Sequence, residues 1–241
     1  MYEITRDAAG AGVKASALLA VDGSIRHKTR MENIPAIRAG QRVKRWLDIL
    51  ICTAALPLAV PLGLFLMALI VLDSRGAPIY RHERIGKGGR PFQIYKFRTM
   101  RANADAILQE CLAADPVLAD EWRRDQKLRN DPRLTRIGRL LRKTSLDELP
   151  QIINILLGDM TLVGPRPIVA SEKGKYGRYF EEYCGVRPGL TGLWQTSGRN
   201  DTTYCQRVAF DHYYINHWSV WLDLWIMAKT IPVALSGRGA Y

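Results

Sequence analysis

Two adjacent acidic residues, Asp147 and Glu148, follow a strongly basic stretch of the chain and precede an apolar one. One interpretation is structural, because Ser145 and Glu148 have the spacing of a capping box that satisfies the first amides of a helix. The other is catalytic. A carboxylate at a helix start close to many arginines is expected to have a depressed pKa and to stay ionised. It could then attack phosphorus or hold Mg²⁺ against a diphosphate, and the spacing alone leaves both interpretations open.

Three arginines lie in loops fixed by glycine and proline rather than on helix faces. They are Arg166, Arg187 and Arg199. A planar guanidinium on a fixed backbone is suited to bidentate recognition of phosphate, so these residues and the acid pair together indicate phosphoryl chemistry. His212 and His217 are expected to pack or to hydrogen-bond rather than to form a metal site, and the sequence contains no recognisable Ser-His-Asp or Cys-His motif.

The composition indicates a globular protein with an anionic partner. Hydrophobic residues make up 47% of the 241 residues and charged residues 24%, which excludes a mostly disordered chain and a polytopic membrane protein. The net charge of +12 implies nucleic acid, an anionic membrane surface or phosphorylated substrates. Residues 74–143 hold 17 Lys and Arg against 8 Asp and Glu, directly after an apolar run, which favours lipid or phosphate over DNA. The four cysteines are widely spaced, as expected of reduced thiols in a cytosol-facing protein.

The elements that must position these residues begin with an apolar run. Residues 49–72 are 24 consecutive residues without a charge, and a straight helix of that length would cross a ~30 Å hydrocarbon core. Pro57 and Pro61 lie in its middle and predict a bend. Both flanks are basic, and basic flanks are normally retained in the cytoplasm. The pattern favours a re-entrant helix that turns at the prolines, over a single kinked crossing or a buried core helix.

The rest of the chain predicts short elements. Residues 79–99 read as a β-hairpin with a glycine-rich turn that lacks the endings of a nucleotide-binding loop. Residues 102–130 are predicted to be helical. Residues 134–143 form an amphipathic helix that either packs on the core or lies on an anionic bilayer. The aromatic residues between 213 and 225 are typical either of an interfacial helix or of core packing.

We therefore predict an α+β fold that is mostly helical. It would comprise a Pro-kinked re-entrant membrane helix hairpin, amphipathic interfacial helices and a small β-hairpin around a cytosolic active site. Residues 1–40 are expected to be a poorly ordered tail without a signal peptide, residues 41–73 the re-entrant helix, and residues 74–241 a membrane-associated catalytic domain.

Several motifs occur in order and together resemble one family. They are Lys44-Arg45-x-x-Asp48 ahead of the Pro-broken run, Lys96-Phe97-Arg98-Thr99-Met100, Ser145-Leu146-Asp147-Glu148-Leu149-Pro150-Gln151, Gly158-Asp159-Met160, Val163-Gly164-Pro165-Arg166-Pro167, Arg187-Pro188-Gly189-Leu190-Thr191-Gly192 and Ser197-Gly198-Arg199-Asn200. From about Arg42 to the C-terminus the chain resembles the bacterial sugar transferases, the monotopic polyprenyl-phosphate phosphoglycosyl transferases. Within that family it looks most like the exopolysaccharide-initiating galactosyl-phosphate transferases, without the extra amino-terminal membrane helices of the long members.

The resemblance implies a reaction and roles for residues. A UDP-sugar would donate its sugar-1-phosphate, galactose-1-phosphate by this resemblance, to undecaprenyl phosphate and release UMP. Asp147 would be the nucleophile that forms a covalent phosphosugar intermediate, Glu148 would position it, and both would be ligands of Mg²⁺. Pro61 matches the family's helix-breaking proline, although Val60 stands where many members have serine. The residues implied to bind substrate phosphates are Arg166, Arg187, Arg199, Lys96 and Arg98.

The resemblance also implies partners and a location. The substrates would be a UDP-sugar and undecaprenyl phosphate, with anionic membrane lipids as neighbours and no nucleic acid as partner. Whether the protein forms a homodimer is left open. The protein would lie in the bacterial inner membrane with its catalytic domain on the cytoplasmic face. The alternative from another class is a membrane-anchored basic module that binds nucleic acid or a protein, which would leave the acid pair and the loop arginines unexplained.

Overall fold

The computed structural model describes residues 35–125, 128, 130–197 and 202–236. Most of the expected amino-terminal tail, together with Arg199, lies outside the described residues. The chain is α+β and mostly helical, as predicted. Its α-helices and strands in chain order are α1 (Pro35–Asp73), β1 (Ile79–Ile85), β2 (Pro91–Phe97), α2 (Ala104–Ala114), α3 (Pro116–Asp125), α4 (Arg136–Thr144), α5 (Gln151–Leu157), β3 (Thr161–Val163), α6 (Lys173–Tyr176), α7 (Phe180–Cys184), β4 (Gly189–Thr191), α8 (Leu193–Thr196), α9 (Tyr204–Asn216) and α10 (Val220–Ser236).

The apolar run lies within α1, a single helix that contains both Pro57 and Pro61. Its segment Gly40–Asp73 is long and apolar enough to cross a membrane, and only 17% of its most apolar stretch is buried. A core helix of a soluble protein would be mostly buried, so the length, composition and exposure of this helix indicate membrane association. The helix begins at Pro35, ahead of the boundary expected from the sequence.

The predicted β-hairpin is confirmed. Strands β1 and β2 pair antiparallel, with Ile79 opposite Phe97 and Ile85 opposite Pro91. A turn of 3₁₀-helix at Lys87–Gly89 joins them, with Gly88 and Gly89 in the left-handed region that glycine adopts at low cost. A second sheet consists of the short parallel strands β3 and β4.

The helical stretch predicted at 102–130 is two helices rather than one. The break falls at Asp115, whose backbone is extended (φ −131°, ψ 108°) because the ring of Pro116 disfavours helical geometry in the residue before it. The Asp115 carboxylate then accepts hydrogen bonds from the amides of Val117 and Leu118 at the start of α3. The sequence pattern registered the helical composition but not this turn.

The core is distributed among several clusters that join α1 and the C-terminal helices to the sheets. One cluster holds Trp194, Tyr214 and Ile226 with their neighbours, so part of the aromatic C-terminal stretch is core packing. Trp221 and Trp225 on α10 are instead exposed. Core packing is therefore confirmed for Tyr214, whereas an interfacial position for Trp221 and Trp225 stays a prediction.

Candidate active site

The acid pair lies at a sharp turn between two helices. Helix α4 ends at Thr144, and Ser145 adopts the left-handed conformation (φ 58°) that redirects the chain. Asp147 and Glu148 follow in a single 3₁₀ turn, and α5 begins only at Gln151. The Ser145 side chain caps no amide of that turn. The capping-box interpretation is therefore wrong, because the chain turns at Ser145 instead of starting a helix there.

Lys96 of β2 is the counterion of both acids. Its ammonium nitrogen lies 2.6 Å from Oε1 of Glu148 and 3.8 Å from Oδ2 of Asp147. The Asp147 side chain is 14% exposed and that of Glu148 is 32% exposed, so Asp147 is the more enclosed of the two. The lysine predicted to bind phosphate thus lies directly beside the predicted nucleophile.

Burial raises the pKa of Asp147 to about 6, and the charge of Glu148 adds to this effect. The positive charges of Lys96 and Arg142 act in the opposite direction but do not offset the loss of solvent. The expectation of a depressed pKa was therefore wrong, since burial outweighs the nearby cations. With a pKa near 6 the carboxylate is mostly ionised at pH 7, as attack on phosphorus would require.

Arg142 is a site residue that the sequence pattern did not distinguish from the other basic residues of α4. Its guanidinium is largely buried, and its Nε donates to Oγ1 of Thr99 at 3.1 Å. Helix α4 packs directly on the Thr99 backbone at Gly138, where a Cβ atom would lie 1.9 Å from the Thr99 carbonyl oxygen. This close approach, which only glycine permits, holds Arg142 near Asp147.

One face of the β-hairpin extends from Lys96, beside the acid pair, to Arg84. Because cross-strand partners and alternate residues share a face, the register Tyr80 to Lys96 and Arg84 to Phe92 places Tyr80, His82, Arg84 and Lys96 together. We call this the reaction face. It carries positive charge from the acid pair toward Arg84, which is half-buried and which burial and the charge of Arg166 hold below its usual pKa.

Arg84 is one of a cluster of three arginines, with Arg166 and Arg207. Arg166 and Arg207 each lie over the ring of Trp194, at 5.4 Å and 4.8 Å from its centroid. Arg166, Arg207 and Asp211 line a small pocket that is open to solvent. Two planar cations stacked on one indole form a surface suited to an anionic ligand.

Asp211 is buried beneath this pocket. Burial raises its pKa to about 7, although Tyr176 donates a 2.7 Å hydrogen bond to Oδ2 and the arginines favour its charged form. The Trp194 indole N–H and the Tyr204 hydroxyl are buried without hydrogen-bond partners among the described residues. The pocket walls therefore keep polar groups that water or a ligand can satisfy.

The other predicted phosphate-binding residues occupy different places. Arg187 donates from Nε to the carbonyl oxygen of Gly158 at 2.7 Å, beyond the end of α5. Arg98 donates to the backbone carbonyl and hydroxyl of Ser74, after the end of α1. These contacts link elements of the fold, and a phosphate-binding role for either residue stays a prediction.

The acid pair suits Mg²⁺ in part. Mg²⁺ in phosphate-transfer sites is typically bound by one or two carboxylates, with substrate phosphates and water completing its shell. Asp147 and Glu148 are adjacent and both reach solvent, so they offer such a donor set. Within the described ranges, no group of three or more metal-binding side chains is present. The residues present therefore fit a metal whose coordination shell is completed by substrate phosphates and water.

The two candidate histidines hydrogen-bond within the protein, as expected. His212 Nδ1 lies 2.7 Å from Glu182, and His217 stacks on Tyr213 at 4.2 Å between centroids. These contacts give both imidazoles the packing and hydrogen-bonding roles expected of them.

Comparison with known proteins covers the long helix, the acid pair and the arginine cluster together. Residues 39–237 match the sequence model of the bacterial sugar transferases. The chain belongs to this family. The match begins before the apolar run and extends to the end of α10, so the long helix, the acid pair and the arginine cluster all lie inside the bacterial sugar transferase region.

Three relatives show the range of activities named in the family. An exopolysaccharide production protein ExoY from Sinorhizobium fredii is 50% identical over 198 residues, which is 82% of this chain and 88% of that protein. An undecaprenyl-phosphate galactose phosphotransferase from Salmonella typhimurium is 48% identical over 88% of this chain. A UDP-glucose:undecaprenyl-phosphate glucose-1-phosphate transferase from Caulobacter vibrioides is 41% identical over 82% of this chain and 72% of that protein. The chain spans 44% of the length of the Salmonella protein.

Proposed function

We propose that this sugar transferase moves galactose-1-phosphate from UDP-galactose to undecaprenyl phosphate, releases UMP and thereby initiates exopolysaccharide synthesis. The observation that carries the proposal is the acid pair itself. A nearly buried carboxylate with a pKa near 6 lies beside a lysine and a partly buried arginine, at one end of a cationic face. Relatives named for galactose transfer and for exopolysaccharide production support the donor and the pathway step.

The chemistry follows two displacements at one phosphorus atom. An Asp147 oxygen attacks the β-phosphorus of the UDP-sugar, the bond from that phosphorus to the bridging oxygen breaks, and UMP departs with the electron pair. An oxygen of the polyprenyl phosphate then attacks the same phosphorus and returns the carboxylate. One phosphoanhydride replaces another, so the protein mainly neutralises charge and places the reactants.

The charged groups near Asp147 have different roles in neutralising charge and placing the reactants. Lys96 lies close enough to both carboxylates to offset the repulsion between the nucleophile and the incoming diphosphate. Glu148 and Asp147 would hold Mg²⁺ together with the substrate phosphates. When bound, the metal supplies positive charge to the diphosphate. The arginine cluster at the far end of the reaction face supplies further anion-binding capacity for the nucleotide part of the donor.

Contacts at both ends of the apolar run support a re-entrant helix. Asp48, just before the run, accepts from the Thr161 hydroxyl at 2.7 Å and from the Leu162 amide at 3.0 Å. Asp73, just after it, accepts from the Ile137 amide at 3.0 Å. The same domain binds both ends, whereas a simple crossing would separate the ends by the thickness of the membrane. A bend at Pro57 and Pro61 accounts for the return.

A set of exposed apolar side chains supports contact with the inner leaflet around the site. Several belong to the part of α1 near the prolines and others to α4, α5 and α10, and each is at least 43% exposed. They are Leu58, Val60, Leu64, Phe65, Leu140, Ile153, Leu157, Trp221 and Trp225. Tryptophan at such a surface is typical of membrane–water interfaces, and the net charge of +12 favours anionic lipids. The predicted interfacial helices thus have candidates in α4, α5 and α10.

The proposal is tested by UMP release in proteoliposomes that contain undecaprenyl phosphate and Mg²⁺. We expect UMP from UDP-galactose, with a slower or absent reaction from UDP-glucose and from N-acetylated UDP-sugars. UMP release from another donor at a higher kcat/KM would overturn the choice of galactose. Absence of lipid-dependent UMP release from every donor would overturn the transfer reaction itself. A matched lipid without phosphate serves as the control for nonspecific hydrolysis.

A further inference from the structure

The imidazole of His82 lies on the reaction face between the acid pair and the arginine cluster. His82 is opposite Ile94, one alternate position along from the pair formed by Tyr80 and Lys96. Diagonal neighbours on one face of an antiparallel pair are roughly 7 Å apart, so His82 lies next to Lys96. Arg84 follows at about the same spacing on the other side, since a strand rises about 3.3 Å per residue.

The contacts of His82 determine which nitrogen carries its proton. The Arg84 Nη2 lies 3.2 Å from His82 Nδ1. A guanidinium can only donate, so Nδ1 accepts and the proton of the neutral ring is on Nε2. The ring of Tyr80 contacts the imidazole edge-on at 5.8 Å between centroids and helps to orient it. The half-buried ring therefore offers one N–H donor.

The charges around His82 favour its neutral form. Burial lowers the pKa of His82, and the positive charges of Arg84 and Lys96, one from each strand of the hairpin, lower it further. Glu172, which precedes α6, acts in the opposite direction. Because the folded-state pKa is below the usual value for histidine, the ring stays neutral at physiological pH and keeps Nδ1 as an acceptor.

The in-line geometry of the proposed reaction places a phosphate opposite Asp147, and this step rests on the proposed function. When the aspartyl oxygen attacks, UMP leaves from the opposite side of the phosphorus and its phosphate gains negative charge. The acceptor must then attack opposite the aspartyl oxygen, so its phosphate enters the place that UMP has left. Lys96 lies beside the acids with Tyr80 opposite it, and His82 is the next polar residue along the reaction face toward Arg84.

We propose that the Nε2–H group of His82 donates a hydrogen bond to the phosphate of departing UMP and then to the phosphate of the incoming polyprenyl acceptor. No proton is transferred in either step. The hydrogen bond stabilises charge that develops in the transition state, as a fixed donor does in an oxyanion hole. Arg84 is a positioning residue in this arrangement, because it holds the ring in the tautomer that donates.

Side-chain substitutions of similar shape separate the two nitrogens. In His82→Gln the amide nitrogen can take the place of Nε2, whereas in His82→Asn the shorter amide reaches only the place of Nδ1. We expect His82→Gln to keep kcat within about threefold of wild type, and His82→Asn and His82→Leu to lose about 10- to 100-fold, as for a lost hydrogen bond to a charged group. His217→Gln, which removes a histidine stacked on Tyr213, is the matched control.

The rates are measured in two assays with wild-type protein alongside. Formation of the aspartyl adduct from UDP-galactose without acceptor reports the first displacement, and steady-state UMP release with undecaprenyl phosphate reports both. We expect His82→Asn and His82→Leu to lower both the single-turnover rate constant of adduct formation and the kcat of UMP release. Thermal unfolding of each variant identifies any that fails to fold, and the comparison of His82→Gln with His82→Asn then carries the test.

Each outcome distinguishes this proposal from the proposed function. A wild-type protein that forms no adduct and releases no UMP contradicts the proposed function. With an active wild type, equal rates for His82→Gln and His82→Asn, or a His82→Leu variant as fast as wild type, would overturn the role of His82. A folded His82→Gln as slow as His82→Leu would also overturn it, because it would indicate proton transfer instead of hydrogen bonding.

Discussion

Asp147→Asn is expected to stabilise the protein while abolishing its activity. Burial raises the pKa of Asp147 from 3.8 to about 6, which means that the folded protein holds the ionised carboxylate at a cost. A shift of about two pKa units corresponds to about 3 kcal/mol at a pH well above 6. Asparagine has nearly the same shape and no charge to desolvate. At pH 8 the free energy of unfolding of the variant should therefore be about 3 kcal/mol higher than that of wild type, and its Tm roughly 6–12 °C higher for a chain of this size.

The pH dependence of this gain follows from the direction of the shift. A group whose pKa is raised on folding contributes stability that is complete below its unfolded pKa and is lost as pH rises through its folded pKa. The advantage of Asp147→Asn over wild type should thus be near zero at pH 3.8 and below, about half-developed at pH 5, and complete above pH 7. It arises because wild type loses stability over this range and the variant does not.

The assay is thermal unfolding of both proteins in nanodiscs between pH 5 and pH 8. Asp120→Asn is the control, since the Asp120 side chain is 63% exposed and its replacement should leave the difference from wild type flat with pH. UMP release is measured on the same samples and should be absent from Asp147→Asn. A variant that is less stable than wild type at pH 8, or equally displaced at every pH, would refute the assignment of burial as the dominant effect on this carboxylate.

Three further predictions concern rate, metal and topology. The rate of adduct formation should fall about tenfold per pH unit below pH 6, because only ionised Asp147 attacks. Lys96→Met should move this acidic limb of the pH–rate profile to higher pH, because it removes a positive charge that lowers the pKa of Asp147. An acidic limb that does not move would contradict the role of Lys96. Excess EDTA should stop UMP release, and Mg²⁺ should restore it with Mn²⁺ as a partial substitute, since a hard cation offsets repulsion between carboxylate and diphosphate; full activity in EDTA would oppose a metal requirement. Single cysteines at positions 42 and 76, in a chain without native cysteines, should both resist a membrane-impermeant reagent in intact cells; labelling at position 42 alone would indicate a crossing.

Local patterns predicted the elements whose physical cause is local. An uncharged run of 24 residues predicted α1, and a glycine-rich turn between two β-rich segments predicted the hairpin. The acid pair was visible as chemistry because its neighbours in sequence are basic. The aromatic C-terminal stretch was ambiguous, because Tyr214 packs on α9 whereas Trp221 and Trp225 are exposed on α10, and aromatic composition alone does not distinguish them.

The parts that escaped sequence reasoning depend on contacts between distant residues. Arg142 looks like any other basic residue of α4 until Gly138 brings that helix onto Thr99. Arg166 and Arg207 are far apart in sequence and meet only on the ring of Trp194.

The sign of the pKa shift at Asp147 was misjudged for the same reason. Nearby arginines are countable in a sequence, whereas burial is a property of the folded protein.

The most direct measurement of the account is the mass and position of the covalent intermediate. Wild-type protein is incubated with UDP-galactose and Mg²⁺ without lipid acceptor, quenched, and analysed by intact-mass and peptide mass spectrometry. We expect a galactose-phosphate adduct on Asp147 that hydroxylamine removes, as an acyl phosphate requires, and no adduct on Asp147→Asn. An adduct on another residue, or an Asp147→Asn variant that still forms the adduct or turns over at a near-normal rate, would contradict the assignment of Asp147 as the nucleophile.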